Sequence, residues 1–136
     1  MAADSADERT VVGSELLTVV TAVDSASGAM VVTVVGEVDM VTAPVLRERL
    51  DVLFRADRAP IVVDLSRVEF FGSTGLAVVV DAQHRAEAEG RVFVLVAGTR
   101  VVQRPLEVSG LDAVLSVHED LGQALEAVRA AAEQRR

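Results

Sequence analysis

One stretch limits what this chain can fold into more than any other. Ile61-Val62-Val63-Asp64-Leu65 is a short β-branched run, and Val68-Glu69-Phe70-Phe71-Gly72-Ser73-Thr74-Gly75-Leu76 follows it. Beyond Leu76 the residues Ala77-Val78-Val79-Val80-Asp81-Ala82 open a helical pattern that runs to about Glu89. The order is therefore strand, turn, helix. An apolar run of this kind suits a strand covered on both faces. Gly72 and Gly75 let the backbone turn tightly. Ser73 or Thr74 is expected to be the helix N-cap, since a hydroxyl there accepts a bond from an unpaired backbone N–H. The same position is the positive end of a helix, where a phosphate is also stabilised.

The rest of the chain repeats the theme. Leu16 to Val23 and Met30 to Val35 read as strands around the turn residues Asp24-Ser25-Ala26-Ser27-Gly28, a pattern for an antiparallel hairpin closed by Gly36. Thr42 is an expected N-cap and Pro44 fits the first turn of a helix running to about Arg55. Leu46, Leu50, Leu53 and Phe54 share one face of it. Gly90 ends the central helix, and Arg91 to Val96 reads as a strand. Thr99 is positioned to cap a helix through about Val108, which Pro105 should shorten or kink, and Gly110 stops it. Ala113 to Val117 reads as a fifth strand. A last helix from about Asp120 to Glu133 is expected to bury Leu121, Ala124, Leu125, Val128 and Ala132. After the hairpin, strands and helices alternate, so the expected class is α/β with a mostly parallel sheet and right-handed crossovers.

At 136 residues the chain is expected to be one domain, with residues 15–136 folded and residues 1–14 a polar, unpatterned, disordered tail. The acidic start lacks the basic and apolar regions of a signal peptide, and no apolar run nears the ~18 residues of a membrane span. The expected compartment is the cytoplasm, with no membrane partner. A net charge of −8 disfavours direct nucleic-acid binding, which depends on cations facing phosphates.

Enzyme chemistry finds little footing. A nucleophile elbow needs Gly-x-Ser-x-Gly, and Phe71 stands where the first glycine belongs. His84 lies three helical turns beyond Ser73, roughly 16 Å at 1.5 Å per residue, out of reach of its hydroxyl. With two isolated histidines and no cysteine, a zinc site is not expected. No phosphate-binding loop or dinucleotide fingerprint is present, so no cofactor is expected.

Phe70-Phe71-Gly72-Ser73-Thr74-Gly75-Leu76 resembles the phospho-acceptor loop of STAS domains, the family of the bacterial anti-sigma factor antagonists. That loop is usually an apolar pair, Asp, Ser, Ser or Thr, Gly, Leu, so Gly72 replaces the acid. Gly36-Glu37-Val38-Asp39 before Thr42-Ala43-Pro44 is similar to the family's acidic turn, and Val108 to Asp112 to its Val-Ser-Gly-Leu-Asp segment. The resemblance spans roughly Leu16 to Ala130 with the elements in order.

The resemblance implies the STAS fold: a five-stranded, mostly parallel sheet with an N-terminal antiparallel hairpin strand and helices largely on one face. It implies a non-enzymatic switch whose partner is an anti-sigma factor with serine kinase activity. Ser73 would be the phosphorylation site, with Asp39, Gly72, Thr74 and Gly75 as partner-binding positions. The loss of the acid at Gly72 keeps a second reading open, a non-phosphorylated binding or scaffold module of a larger signalling or transport assembly. Monomer and weak dimer are both compatible with the sequence.

Overall fold

The computed structural model describes residues 10–13 and 15–134. A single six-stranded sheet runs in the order β1 (Thr10–Gly13), β2 (Leu17–Val23), β3 (Met30–Val38), β4 (Ile61–Phe71), β5 (Phe93–Val96), β6 (Val117–His118). β1, β2 and β3 are antiparallel neighbours, whereas β3 through β6 are parallel. Among the described residues four helices make the crossovers and the C-terminal cover: α1 (Ala43–Ala56), α2 (Ser73–Glu89), α3 (Arg100–Ser109) and α4 (Leu121–Gln134).

β4 is the middle of the structure because its side chains are apolar on both faces. Ile61, Val63 and Leu65 point into a large core with Leu46, Leu50 and Phe54 of α1, Val78, Val79 and Ala82 of α2, and Val102 and Leu106 of α3. Val62 points the other way, with Val94 and Val96, onto Ala124 and Val128 of α4. Three helices thus cover one face and one helix the other. The expected mostly parallel sheet, N-terminal hairpin and uneven helix layers are all present.

Several expected boundaries move. Thr10–Gly13 lies within the span read as a tail, yet forms β1 against β2, with Thr10 opposite Thr21 and Gly13 opposite Thr18. The pairing works through the backbone and needs few apolar side chains, and Gly13 is essential to its closeness: a Cβ there would lie 2.3 Å from the Leu17 carbonyl oxygen. The rest of the expected tail, residues 1–9 and 14, lies outside the described residues. Gly36 does not close β3. It sits at φ +119°, and a Cβ would meet the Leu16 carbonyl oxygen at 2.1 Å, so the strand passes through it to Val38 because the residue is glycine.

β4 likewise continues past Leu65 to Phe71, pairing with β3 through register shifts that end at Val38 opposite Phe71. The expected fifth strand at Ala113–Val117 is a 3-10 turn at Leu111–Ala113 followed by the two residues of β6. α3 is an unbroken ten-residue helix that contains Pro105. Ala132 is exposed, not buried: the smaller core ends at Val128, with Leu121 and Leu125 packed half-buried beside it.

Candidate functional site at the paired strand ends

Because β3 and β4 are parallel neighbours, the turns that lead from them into α1 and α2 lie side by side. The Gly72 N–H donates to the Val38 carbonyl at 3.1 Å and ties the two turns together.

The first turn is closed upon itself. Asp39 Oδ1 accepts from the N–H of Val41 at 2.9 Å, the N–H of Thr42 at 3.0 Å and the hydroxyl of Thr42 at 3.2 Å. The Thr42 hydroxyl, in a residue only 3% exposed, accepts from the Asp39 N–H at 3.0 Å and donates to the Glu37 carbonyl at 2.6 Å. Thr42 therefore stands at the N-cap position of α1, as expected, but its hydroxyl braces the turn before the helix and makes no capping bond. The Thr42 N–H is the main reason the Asp39 carboxyl lies below its ordinary value. Partial burial opposes it, and the Thr42 hydroxyl and Val41 N–H add to it. Asp39 is in this structure a turn-holding carboxylate.

The second turn is open. Gly72, not a hydroxyl residue, is the N-cap of α2, with φ −96° and ψ −171°, and no side chain bonds to the first backbone N–H groups. Ser73 and Thr74, either of which the sequence offers as the cap, are instead the first two residues of the helix. The reason is local: the Gly72 carbonyl already accepts from the Leu76 N–H at 3.1 Å, which starts the helix one residue early. Ser73 is exposed, and its hydroxyl has no hydrogen-bond partner among the described residues. Thr74 is half-buried and lines a cavity of about 200 Å³ with Met40, Ala43, Pro44, Arg47 and Ala77.

The two glycines have different parts. Gly75 is buried, and a Cβ would meet Phe71 Cε1 at 2.8 Å and Val38 Cγ1 at 2.9 Å. It lets α2 start hard against both strand ends. Gly72 has an ordinary φ, and its Cβ would come no closer than 3.1 Å to Cε2 of the exposed Phe70 ring. An aspartate fits there once that ring shifts by a few tenths of an ångström.

Around Ser73 the surface is apolar to a degree the sequence does not announce. Met40 is 76% exposed, Val41 79% and Phe70 51%. Large apolar side chains gathered on a surface mark contact sites. Their signal is weak in the sequence because Met40 and Val41 lie in the connection before a helix and Phe70 is one of an apolar pair.

The other candidate chemistries are not assembled. His84 is exposed on α2, and His118 on β6 faces Ser116 at 3.4 Å, so neither is bonded to Ser73. Among the described residues no group of three His, Cys, Asp or Glu side chains is arranged to hold a metal ion. No helix among them is long and apolar enough to cross a membrane.

Comparison with known proteins places this arrangement. The family described as Mlab, STAS domain matches residues 21–123. The anti-sigma-F factor antagonist RsfB of Mycobacterium tuberculosis is 33% identical over 103 residues, covering 76% of this chain and 84% of that protein. The crystal structure of an anti-sigma factor antagonist from Mycobacterium paratuberculosis superposes with a TM-score of 0.78 at 36% identity, over 87% of this chain and 99% of that one. The phosphorylated form of the Bacillus cell fate determinant SpoIIAA shares the fold at a TM-score of 0.58 and 20% identity, over 74% of this chain and 91% of its own.

Proposed function

Since this chain belongs to the STAS domain family of anti-sigma factor antagonists, we propose that it captures an anti-sigma factor with serine kinase activity and is released from it by phosphorylation of Ser73. One observation carries the reading: an exposed serine whose hydroxyl has no partner among the described residues stands at the N-terminus of α2, with exposed Phe70 bordering Gly72 before it and exposed Met40 bordering Thr74 after it. These side chains supply apolar area for docking, and the hydroxyl lies where a docked kinase can reach it. The relative solved in a phosphorylated form is one in which this fold carries that modification.

The chemistry is a phosphoryl transfer. The Ser73 oxygen bonds to the γ-phosphorus of ATP held by the partner, the bond to the departing ADP breaks, and the hydroxyl proton passes to a base on the partner. The product carries about −1.5 to −2 charges at neutral pH. The fold tolerates that charge, since the helix N-terminus favours it by about 0.3–1 kcal/mol. Docking does not, because the charge enters an apolar contact beside Glu37, Asp39 and Glu69 and must lose its water there. The switch thus acts on binding and leaves the sheet unchanged. Asp39 and Gly75 act by holding the two turns, while Gly72 and Thr74 border the acceptor.

Gly72 favours a second reading, a constitutive binding module, if the acid usually found there is needed by the kinase. The test is intact-mass measurement after incubation with the anti-sigma factor of the same organism and Mg-ATP. The expected result is a single added phosphate on the wild type and on Thr74→Ala, and none on Ser73→Ala. No added phosphate on the wild type, restored in Gly72→Asp, would establish the second reading.

A further inference from the structure

The exposed apolar surface does not end at Phe70. It continues into an open groove of about 430 Å³ between the end of β4 and α3, lined by Phe70 and Glu69 on one side and Arg100, Val101, Arg104, Pro105 and Val108 on the other. The core does not account for this side of α3. Its buried stripe is Val102 and Leu106. Val101, Pro105 and Val108 form a second stripe at the i, i+4, i+7 spacing of a helix face. Val101 is 41% exposed and Val108 81%. A helix that needed one apolar face for its own packing presents two.

The charge at the groove runs against the rest of the chain. The protein carries −8 overall, yet Arg100 and Arg104 flank this groove against the single carboxylate of Glu69. Neither arginine takes part in an ion pair among the described residues. Arg47, Arg85 and Arg91, by contrast, each meet a carboxylate. Guanidinium groups left over beside exposed valines are complementary to an amphipathic segment with an acidic edge.

We propose that this groove is the second half of the docking face, and that it takes an acidic amphipathic segment of the anti-sigma partner. The inference rests on the reading of Ser73 given above and deepens it. Phe70 belongs to both halves: it borders Gly72 beside the acceptor and forms the wall opposite α3. The Ser73 half carries the switch. The α3 half, which phosphorylation does not touch, selects the partner by charge.

The experiment uses the full chain and the anti-sigma factor of the same organism. Arg100→Glu/Arg104→Glu is titrated against that factor by calorimetry and compared with wild type. Arg129→Glu, an exposed position on α4 across the sheet, controls for charge reversal away from the groove, at half the charge change of the double variant. The expected result is at least about tenfold weaker binding for the double variant, with a shallower dependence on salt, and unchanged binding for Arg129→Glu. Ser73 should still accept phosphate from saturating kinase. Arg100→Gln/Arg104→Gln, which removes both charges and keeps a polar side chain, serves if the charge reversal impairs folding, and Val108→Asp should weaken binding in the same direction. Wild-type affinity in all three groove variants would overturn the groove and leave the Ser73 reading standing. Equal weakening in Arg129→Glu would overturn it by reducing the effect to overall charge. A wild-type dimer that the double variant dissolves would overturn it in favour of a second copy as occupant. Failure of wild type to bind the factor at all would overturn both readings.

Discussion

The turns into α1 and α2 leave neighbouring strands, begin neighbouring helices and each bring a hydroxyl residue to the helix start, yet they are built in opposite ways. In the first, Thr42 and Asp39 spend their oxygens on the turn itself, on Glu37, Val41 and each other. In the second, a glycine is the cap and the hydroxyl of Ser73 is uncommitted among the described residues. A hydroxyl bound into the fold is not available for chemistry without damage to the fold. One that the fold does not use can be modified at little structural cost. On the proposed function, the pairing of a braced turn with an open one would let the surface hold its shape while a phosphate changes its charge.

The comparison can be broken from either side, and the largest effect should come where the turns touch. Gly75→Ala puts a methyl within 2.8 Å of Phe71 Cε1 and 2.9 Å of Val38 Cγ1, so it should destabilise by up to about 3 kcal/mol in urea melts. A loss below about 0.5 kcal/mol would mean that α2 does not seat as tightly as described. Thr42→Val keeps the shape but strips partners from the Glu37 carbonyl and the Asp39 N–H, and should cost about 2 kcal/mol. The corresponding change in the open turn, Ser73→Ala, should fall within about 0.5 kcal/mol of wild type. Equal costs at the two positions would erase the distinction.

A subtler test uses pH. The Asp39 carboxyl is held below its ordinary value, chiefly by the Thr42 N–H. A depressed folded-state value means that protons bind the unfolded chain more readily. Its stabilisation is therefore present above the unfolded value of about 4 and is lost as pH falls through the folded value. Asp39→Asn should melt below wild type near neutral pH, and the gap should narrow in acid. A gap that does not change with pH would assign the effect to geometry and not to charge.

The alternation of strands and helices was legible because it is written in side-chain periodicity, and the buried positions of β4, α1 and α2 follow it. What escaped is governed by the backbone. Thr10–Gly13 pairs through peptide groups with only two valines to signal it. Gly36 reads as a stop, but it is a pass-through at positive φ that the neighbouring Leu16 carbonyl requires. β4 runs on through Ser66, Arg67 and Glu69, whose polarity reads as loop although β3 still pairs with Arg67 and passes Ser66 and Glu69 at register shifts. At the site, the resemblance of Phe70 to Leu76 to the family's loop was legible in its residues. That neither Ser73 nor Thr74 would spend its hydroxyl on a cap was not, since that depended on Gly72 taking the cap position. The exposure of Met40, Val41 and Phe70 was illegible for a related reason: an apolar residue announces that it avoids water, not which surface it will find.

The central claim is that Ser73 changes binding and leaves the fold alone. It is tested most directly by titrating the anti-sigma factor with three proteins of matched melting temperature: wild type, Ser73→Ala and the stoichiometrically phosphorylated wild type. The account predicts equal affinity for the first two and a loss of at least about tenfold, 1.4 kcal/mol, for the third. Equal affinity for all three would contradict it.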